Sequence, residues 1–285
     1  MDKLTFLDAF EAAGNALLQA FRGALAYVRS DGRFLLLQCV IPFIVICASG
    51  YWLATQGFQP GALPDAAAAK PQARAVIGSL ITSCVVGLAY VPFLVACHSL
   101  VLFGREHVGT GLHFKFARTE RRLLWASLRL MALGFVVLTV VGFIGGLIVV
   151  LLPIGKVISG FIVAALTIFA TIAYLALTVL IVPVVVVDDL KPVRTAFRLA
   201  LQNKMLMVMF MIIAFVLRLI ISGVASFIGR QVPIKVGEVY VTAVALTSGV
   251  TVLGTAFGAL MLSLVFLKVR GAVIPASPDP VLAPL

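Results

Sequence analysis

Charged side chains are scarce in this sequence. Only 12% of its 285 residues are Asp, Glu, Lys or Arg, whereas 62% are hydrophobic. A soluble globular domain carries charge at about a quarter of its positions, so no part of the chain is expected to form a sizeable soluble module. The net charge of +11 therefore does not indicate a nucleic-acid-binding protein. In a membrane protein, Lys and Arg accumulate in cytoplasmic loops, where anionic lipid attracts them.

Motifs that carry enzymatic chemistry are also missing. The sequence has no GxSxG, HExxH, GxGxxG or P-loop motif, and no acidic residue lies within its long apolar runs. The four cysteines form no CxxC pair, and His98, His107 and His113 do not have the spacing of metal ligands. We therefore predict a protein that is not an enzyme and has no metal or cofactor, with its cysteines as apolar packing residues.

Long apolar runs dominate what is present. The hydrocarbon core of a bilayer is about 30 Å thick, so a helix needs about 20 apolar residues to cross it. The expected fold is an all-α integral membrane protein with six transmembrane helices in three hairpins. The first apolar run is long enough to span, so we expect no removable signal peptide. The predicted spans are 34–53, 76–103, two within 130–187 joined by a turn at 153–156, 205–228 and 239–267.

A basic segment precedes each predicted hairpin. These segments are residues 4–29, 104–122 and 188–202, and each is expected to contribute an amphipathic helix along the cytoplasmic surface of the membrane. For residues 4–29, docking against a partner is the alternative explanation. In the third segment Asp189 is the predicted N-cap, and Pro192 suits the first helical turn. The predicted apolar side of that helix consists of Val193, Phe197, Ala200 and Leu201.

The order of these elements predicts a single transmembrane domain, residues 1–285, with an internal repeat. The sequence AFRLAL in the third segment nearly repeats AFRGAL in the first. A true duplication would have the units 1–104, 105–187 and 188–285, although a positive-inside charge pattern alone would also place basic segments before alternate spans. Residues 271–285 contain four prolines and are predicted to be disordered.

Small residues at four-residue spacing predict close contacts between helices, because close backbone approach supplies packing in lipid. The pairs are Gly142 with Gly146, Ser222 with Ser226, and Gly254 with Gly258. We expect these contacts to lie within one chain rather than in a dimer.

The distribution of Lys and Arg predicts the orientation. Residues 1–33, 104–122, 188–204 and 268–285 contain four, five, four and two of them. The alternate connections, 55–74, 156 and 229–237, contain two, one and two. Cytoplasmic loops carry the excess of basic residues, so both termini are expected in the cytoplasm.

Basic side chains are the candidate functional residues. A basic residue near an anionic membrane surface contributes about 1 kcal/mol of attraction, so clusters are expected to contact anionic headgroups or a partner. Arg218 lies within the fifth span, where a charge is costly. It is a site for an anion such as a lipid phosphate, a snorkelling residue, or a structural residue bonded to Glu238 or to backbone carbonyls. Arg129, beside Trp125, is expected to snorkel. The candidate contacts are Arg22, Lys115, Arg118, Arg121, Arg122, Lys191, Arg194 and Arg198.

Three stretches resemble a group of known membrane proteins. They are His98–Glu106 (HSLVLFGRE), Phe116–Arg122 (FARTERR), and Val182–Asp189 (VPVVVVDD) followed by Thr195–Asn203 (TAFRLALQN). The chain resembles uncharacterised six-span bacterial inner-membrane proteins, similar to the YciC-like family and to the membrane domain attached to some glycerophosphodiester phosphodiesterases. The resemblance implies the bacterial inner membrane and no established activity, since the phosphodiesterase catalytic domain is absent.

Two functions are consistent with these features. The first is a multi-pass inner-membrane protein, not an enzyme, that organises anionic lipid or a membrane complex through its basic interfacial helices. Its partners would be membrane lipids and other membrane proteins, with no nucleic acid. The alternative is a transporter of a small solute or lipid with a cavity around Arg218, although transport sites usually contain several polar groups near the midplane.

Overall fold

The computed structural model describes residues 3–55, 69–109, 111–113, 116–151, 156–187, 191–231, 234–236 and 239–271. The secondary-structure elements of the described residues are helices, except for one short strand pair. Six of its helices are long and apolar enough to cross a membrane, which is the architecture of a multi-pass membrane protein and confirms the prediction at that level. The elements are α1 (Lys3–Thr55), α2 (Ala69–Phe103), α3 (Arg105–Val108), α4 (Arg118–Leu151), α5 (Lys156–Thr178), α6 (Ile181–Val186), α7 (Pro192–Gln202), α8 (Lys204–Gln231), β1 (Lys235–Val236), β2 (Val239–Tyr240) and α9 (Val241–Val269).

Helix α1 contains both the first basic segment and the first predicted span. The two parts are separated by a break at Asp31, whose φ of −115° and ψ of 18° are not helical. Beside it, the Ser30 hydroxyl oxygen lies 2.8 Å from Asp31 Oδ2 and 3.3 Å from the Tyr27 carbonyl oxygen, and its single proton can be donated to either acceptor. Such local side-chain bonds compete with the helical backbone pattern, and Gly32 adds flexibility at the same point.

The part of α1 before the break has three distinct faces. Small side chains, including Ala16, Ala20 and Ala24, are buried against the rest of the protein. A Cβ at Gly23 would lie 2.8 Å from Leu264 Cδ1, which shows how closely this part of α1 approaches α9. A second face exposes large apolar side chains, and a third exposes charged and polar ones. The exposed apolar side chains are Leu7, Phe10, Leu18, Phe21, Leu25 and Val28, and the exposed polar ones include Asp8, Glu11, Gln19, Arg22 and Arg29.

The hydrophobic core lies toward one end of the helices. This end contains the break in α1, the last halves of α2 and α9, and the first turns of α4 and α8. Helix α6 packs against α2, α4, α7 and α9, so it sits in the middle of this core. The large side chains buried there include Tyr27, Phe93, Leu100, Leu102, Leu123, Leu180, Met207, Leu260, Leu264, Phe266 and Leu267.

The opposite end is packed less tightly. Large apolar side chains are exposed along α4, α5 and α8, as expected of surfaces that face lipid. A close contact still joins α8 to α9, because a Cβ at Gly229 would overlap Ala243 Cα. The Thr242 hydroxyl also donates a 2.7 Å hydrogen bond to the Gly229 carbonyl. The antiparallel pair β1–β2 lies between these two helices in sequence.

Some details differ from the sequence predictions. Only α3, four residues long and bounded by Gly104 and Gly109 at positive φ, forms ahead of α4 in the described part of the second basic segment. Both glycines adopt a left-handed conformation that ends a helix, so a longer interfacial helix cannot continue through them. Consecutive membrane-length helices do pack in pairs, α1 with α2, α4 with α5, and α8 with α9.

The predicted glycine contacts are also wrong in position. A Cβ added to Gly142, Gly146, Gly254 or Gly258 would meet nothing within 4 Å. Close approach of α4 to α5 instead occurs at Gly145, where a Cβ would lie 3.0 Å from Val163 Cγ1. The four-residue spacing therefore does not predict where these helices touch, because the face of a helix that meets its neighbour depends on the packing of the whole bundle.

Helix α7 forms as predicted, and of its predicted apolar side Ala200 is buried while Val193 and Phe197 are half-buried against the core. Its buried residues are Ala196 and Ala200, whereas Leu201 is 58% exposed. The helix begins at Pro192, and the residue that precedes it is Lys191. The predicted cap Asp189 lies outside the described residues, as do Lys115, Glu238, the predicted turn at 153–155 and residues 272–285 of the tail.

Candidate functional site: a basic groove between α4 and α7

One wall of the candidate site is the first part of α4. Arg122, Trp125 and Arg129 are spaced by three and four residues, so they project from the same side of the helix. Ala126 lies between them and is buried. This small side chain leaves room between the larger ones and forms part of the floor of the groove.

The opposite wall is the start of α7. Lys191, Pro192, Val193 and Arg194 line it, and together the two walls enclose a cavity of about 470 Å³. Helices α4 and α7 are kept apart because α6 packs against both of them and α5 packs against each as well. The groove is therefore a consequence of the intervening helices, whose hydrophobic packing sets its width.

Basic side chains converge on the groove. Four of its eight described lining residues are Lys or Arg. Arg122 and Lys191 also take part in other interactions, and the cluster as a whole adds positive potential, which favours an anion. The start of α7 adds to this potential, because the N-terminal end of a helix carries partial positive charge.

The lining residues differ in depth. Arg122, Pro192 and Val193 are half-buried, whereas Arg129, Lys191 and Arg194 are exposed. Trp125 is 65% exposed at the edge of the groove. Tryptophan is common at the interface between lipid and water in membrane proteins.

The structure places some of the predicted residues together in the groove and places others elsewhere. Arg122, Lys191 and Arg194 meet in the groove. Arg118, Arg121 and Arg198 are exposed but do not line it, and Arg22 is exposed on α1. Arg129, which is predicted to snorkel, also lines the groove. Its position seven residues after Arg122, which places both on one helix face, was the signal that could have identified it.

A second cluster holds the start of α4 against α1. The side-chain amide of buried Gln38 donates to the Gly111 carbonyl and accepts from the His113 amide, both at 2.9 Å. His113 Nε2 lies 2.8 Å from Glu120 Oε1, and Glu120 is two residues before Arg122. Arg105 lies over the Phe34 ring, 3.9 Å from its centroid. These contacts fix the end of α4 that carries the groove.

Arg218 does not line the basic groove. Its side chain is exposed on α8, within residues 212–221, all of which are exposed. A buried polar pair lies elsewhere in the core, with His98 Nδ1 2.7 Å from Ser263 Oγ. The structure thus separates Arg218 from the place where the other cations converge.

The fold and the groove define a helical multi-pass membrane protein with a basic site close to one end of its spans. No protein-family model, curated protein or solved structure matches the chain.

Proposed function

We propose that this chain is a multi-pass protein of the bacterial inner membrane, not an enzyme, that binds anionic lipid headgroups in the basic groove. By holding such lipids it would organise the surrounding membrane or a membrane complex. The observation that carries the proposal is the convergence of Arg122, Arg129, Lys191 and Arg194 from two separate helices. Each such cation near an anionic surface contributes about 1 kcal/mol of attraction.

The level of the groove supports a lipid ligand. Trp125 lies at its edge, and the apolar part of α4 begins directly beyond it. The three faces of α1 also suit a helix at the membrane surface, because small side chains meet the protein, large apolar ones would enter the lipid, and Arg22 lies with the polar ones toward the headgroups. In this arrangement each basic segment and both termini are cytoplasmic.

Fluorescence of Trp125 tests the proposal directly. The chain contains two tryptophans, so the variant Trp52→Phe reports on Trp125 alone. We expect brominated phosphatidylglycerol to quench Trp125 more strongly than brominated phosphatidylcholine at equal mole fraction in nanodiscs. Replacing Arg122 and Arg194 by Gln should lower this preference about thirtyfold, since two charges that contribute about 1 kcal/mol each are lost.

The matched control is Arg121→Gln with Arg198→Gln. These residues are neighbours of the tested pair on the same two helices and are exposed, but they do not line the groove. The control should retain the preference for phosphatidylglycerol. Equal quenching by the two lipids in the unsubstituted groove would contradict the proposal.

The alternative, a transporter with a cavity around Arg218, stays a prediction. The Arg218 side chain is exposed and does not line the groove.

A further inference from the structure

Helices α8 and α9 touch where the chain passes from one to the other and stand apart farther along. At the contact, a Cβ at Gly229 would overlap Ala243 Cα, and the Thr242 hydroxyl donates a 2.7 Å hydrogen bond to the Gly229 carbonyl. Ala225, one turn back along α8, is still buried. Residues 212–221 are instead exposed on every side of the helix, since ten consecutive residues cover nearly three turns. The two helices therefore diverge from this contact and leave a cleft between them.

Arg218 lies on the face of α8 that meets this cleft. It precedes Gly229 by eleven residues, which is about three helical turns, so both lie on the same face of α8. Gly254 follows Ala243 by the same eleven residues and lies on the corresponding face of α9. Because the helices run antiparallel from their contact, Arg218 and Gly254 are at the same level. Both are exposed, and a Cβ added to Gly254 would meet no described atom within 4 Å, so the space between them is open.

A tyrosine of α2 supports this direction for the Arg218 side chain. The Arg218 guanidinium interacts electrostatically with the Tyr90 hydroxyl, which also lies beside the Thr255 side chain of α9. The pair His98 and Ser263 gives the register of α2 and α9 independently, because its sequence separation of 165 residues is also that of Tyr90 and Thr255. Arg218 therefore points toward the interior of the bundle, at the level of Thr255.

The charge of Arg218 is not balanced by these helices. Helices α2, α8 and α9 contain no Asp or Glu. Arg218 is 14 residues after Lys204 and 13 before Gln231, so it lies about 20 Å from either end of α8, farther than its side chain extends. A charge at this depth normally faces a water-filled cavity and meets an opposite charge there. The cleft provides the space for such a partner.

The groups around Arg218 suit an oxyanion. The guanidinium offers several N–H donors in one plane. Ser222 is four residues farther along α8 on the same face, so its hydroxyl adds a donor one turn away. The Tyr90 hydroxyl is buried, and no described residue lies in hydrogen-bonding geometry to it. Donors beside an arginine favour a ligand that accepts hydrogen bonds and carries negative charge.

We propose that the cleft between α8 and α9 binds an oxyanion through Arg218 and Ser222. The phosphate of an anionic lipid and a free phosphate ion share this chemistry. Leu217 and Leu219 are exposed beside Arg218, so a lipid headgroup would enter from the side of the bundle, whereas a free ion would enter through water. The inference stands apart from the proposed function, because none of these residues lines the basic groove.

The charge of the cleft is tested by cysteine accessibility in the full chain. In a variant whose four cysteines are replaced by alanine, Gly254→Cys places a thiol in the cleft, where there is room for it. The protein is treated in phosphatidylcholine nanodiscs with a negatively or a positively charged methanethiosulfonate, and each rate is divided by that of a free thiol. We expect an about tenfold preference for the negative reagent, because Arg218 attracts it. Arg218→Gln should remove this preference, and Arg218→Lys should retain it.

Protection of the same thiol identifies the source of the anion. Phosphatidylglycerol in the nanodisc or inorganic phosphate in the buffer should slow the reaction at least about threefold, because the bound oxyanion covers the cleft. Slowing by the lipid alone assigns a headgroup, and slowing by phosphate alone assigns a free ion. Protection should be absent in Arg218→Gln, which experiences the same membrane surface charge. Protection by neither probe would overturn the proposal.

Two further results would contradict the site. Phe169→Cys, in the middle of α5 and 73% exposed, is the control for a thiol that faces lipid and should react with neither reagent. If Gly254→Cys is equally unreactive, the cleft admits no anion. If the preference for the negative reagent appears only after Glu238→Gln, Arg218 is neutralised by Glu238 and has no place for a ligand. Arg122→Gln with Arg194→Gln should leave all of these rates unchanged, which separates the cleft from the basic groove.

Discussion

A buried polar pair joins α2 and α9 within an otherwise apolar core. The Ser263 hydroxyl donates a 3.0 Å hydrogen bond to the Ala259 carbonyl, so its oxygen is left to accept the bond from His98 Nδ1. Both residues are almost completely buried. The pair thus satisfies two polar groups that would be costly to bury separately.

This pairing predicts a strong coupling between the two positions. Ser263→Ala should lower the free energy of unfolding by about 1–3 kcal/mol, because the buried imidazole loses its acceptor. Adding His98→Leu to that variant should recover part of the loss, since both polar groups are then removed. The free energies of unfolding of the two single variants and of the double variant would be measured in mixed SDS micelles, with Ser222→Ala on α8 as a control. Additive effects of the two substitutions would show that the side chains do not interact.

At the scale of the residue, the local sequence identifies three of the four groove cations as candidate contacts. It does not show that they lie close together. Arg122, Lys191 and Arg194 were recognised because each lies in a basic segment beside an apolar run. Arg129 was not, since it lies inside the apolar run and a snorkelling arginine has the same local pattern. Its place in the groove follows only from the positions of Lys191 and Arg194 on the opposite wall.

At the scale of the element, α7 shows how packing refines an apolar pattern. The helix is fully buried only at Ala196 and Ala200, while Phe197 is half-buried against the core. Small side chains allow α7 to lie close to α5, α6 and α8, with which it is in contact. Leu201, which is 58% exposed, is left to face lipid.

The orientation of α7 can be tested by substitution. Ala200→Leu should lower the free energy of unfolding by about 1–3 kcal/mol, because the added carbons have no space beside the neighbouring helices. It should also weaken binding of anionic lipid, since Arg194 on the same helix would move. Leu201→Ala is the matched control and should change neither property. A larger loss of stability from Leu201→Ala than from Ala200→Leu would mean that the helix is rotated.

At the scale of the whole molecule, the tight core and the basic groove share one end. The contact of Gly23 with Leu264 and the hydrogen bonds of Gln38 to Gly111 and His113 bring the break in α1 to the end of α9 and to the connection before α4. The groove between α4 and α7 lies at this same end. The distribution of Lys and Arg predicts that this end is cytoplasmic.

That orientation predicts a pattern of chemical labelling. The test uses a variant whose four cysteines are replaced by alanine, in bacterial cells whose outer membrane has been removed and whose inner membrane is intact. A membrane-impermeant maleimide should label Gln59→Cys in these cells. It should label Arg198→Cys only after the inner membrane is permeabilised, because that residue is exposed beside the groove. Labelling of Arg198→Cys in intact cells would reverse the orientation and place the groove outside the cytoplasm.

The sequence by itself determined that the chain forms six membrane-length helices and that basic segments lie before alternate ones. Both properties are local, because a run of about 20 apolar residues must satisfy its backbone as a helix in lipid, whatever it packs against. Only the tertiary structure decided which faces of those helices meet. Arg122 and Arg129 are brought opposite Lys191 and Arg194 because α5 and α6, which lie between them in sequence, pack against both α4 and α7. That contact depends on the shapes of many side chains at once, and no single segment of the sequence encodes it.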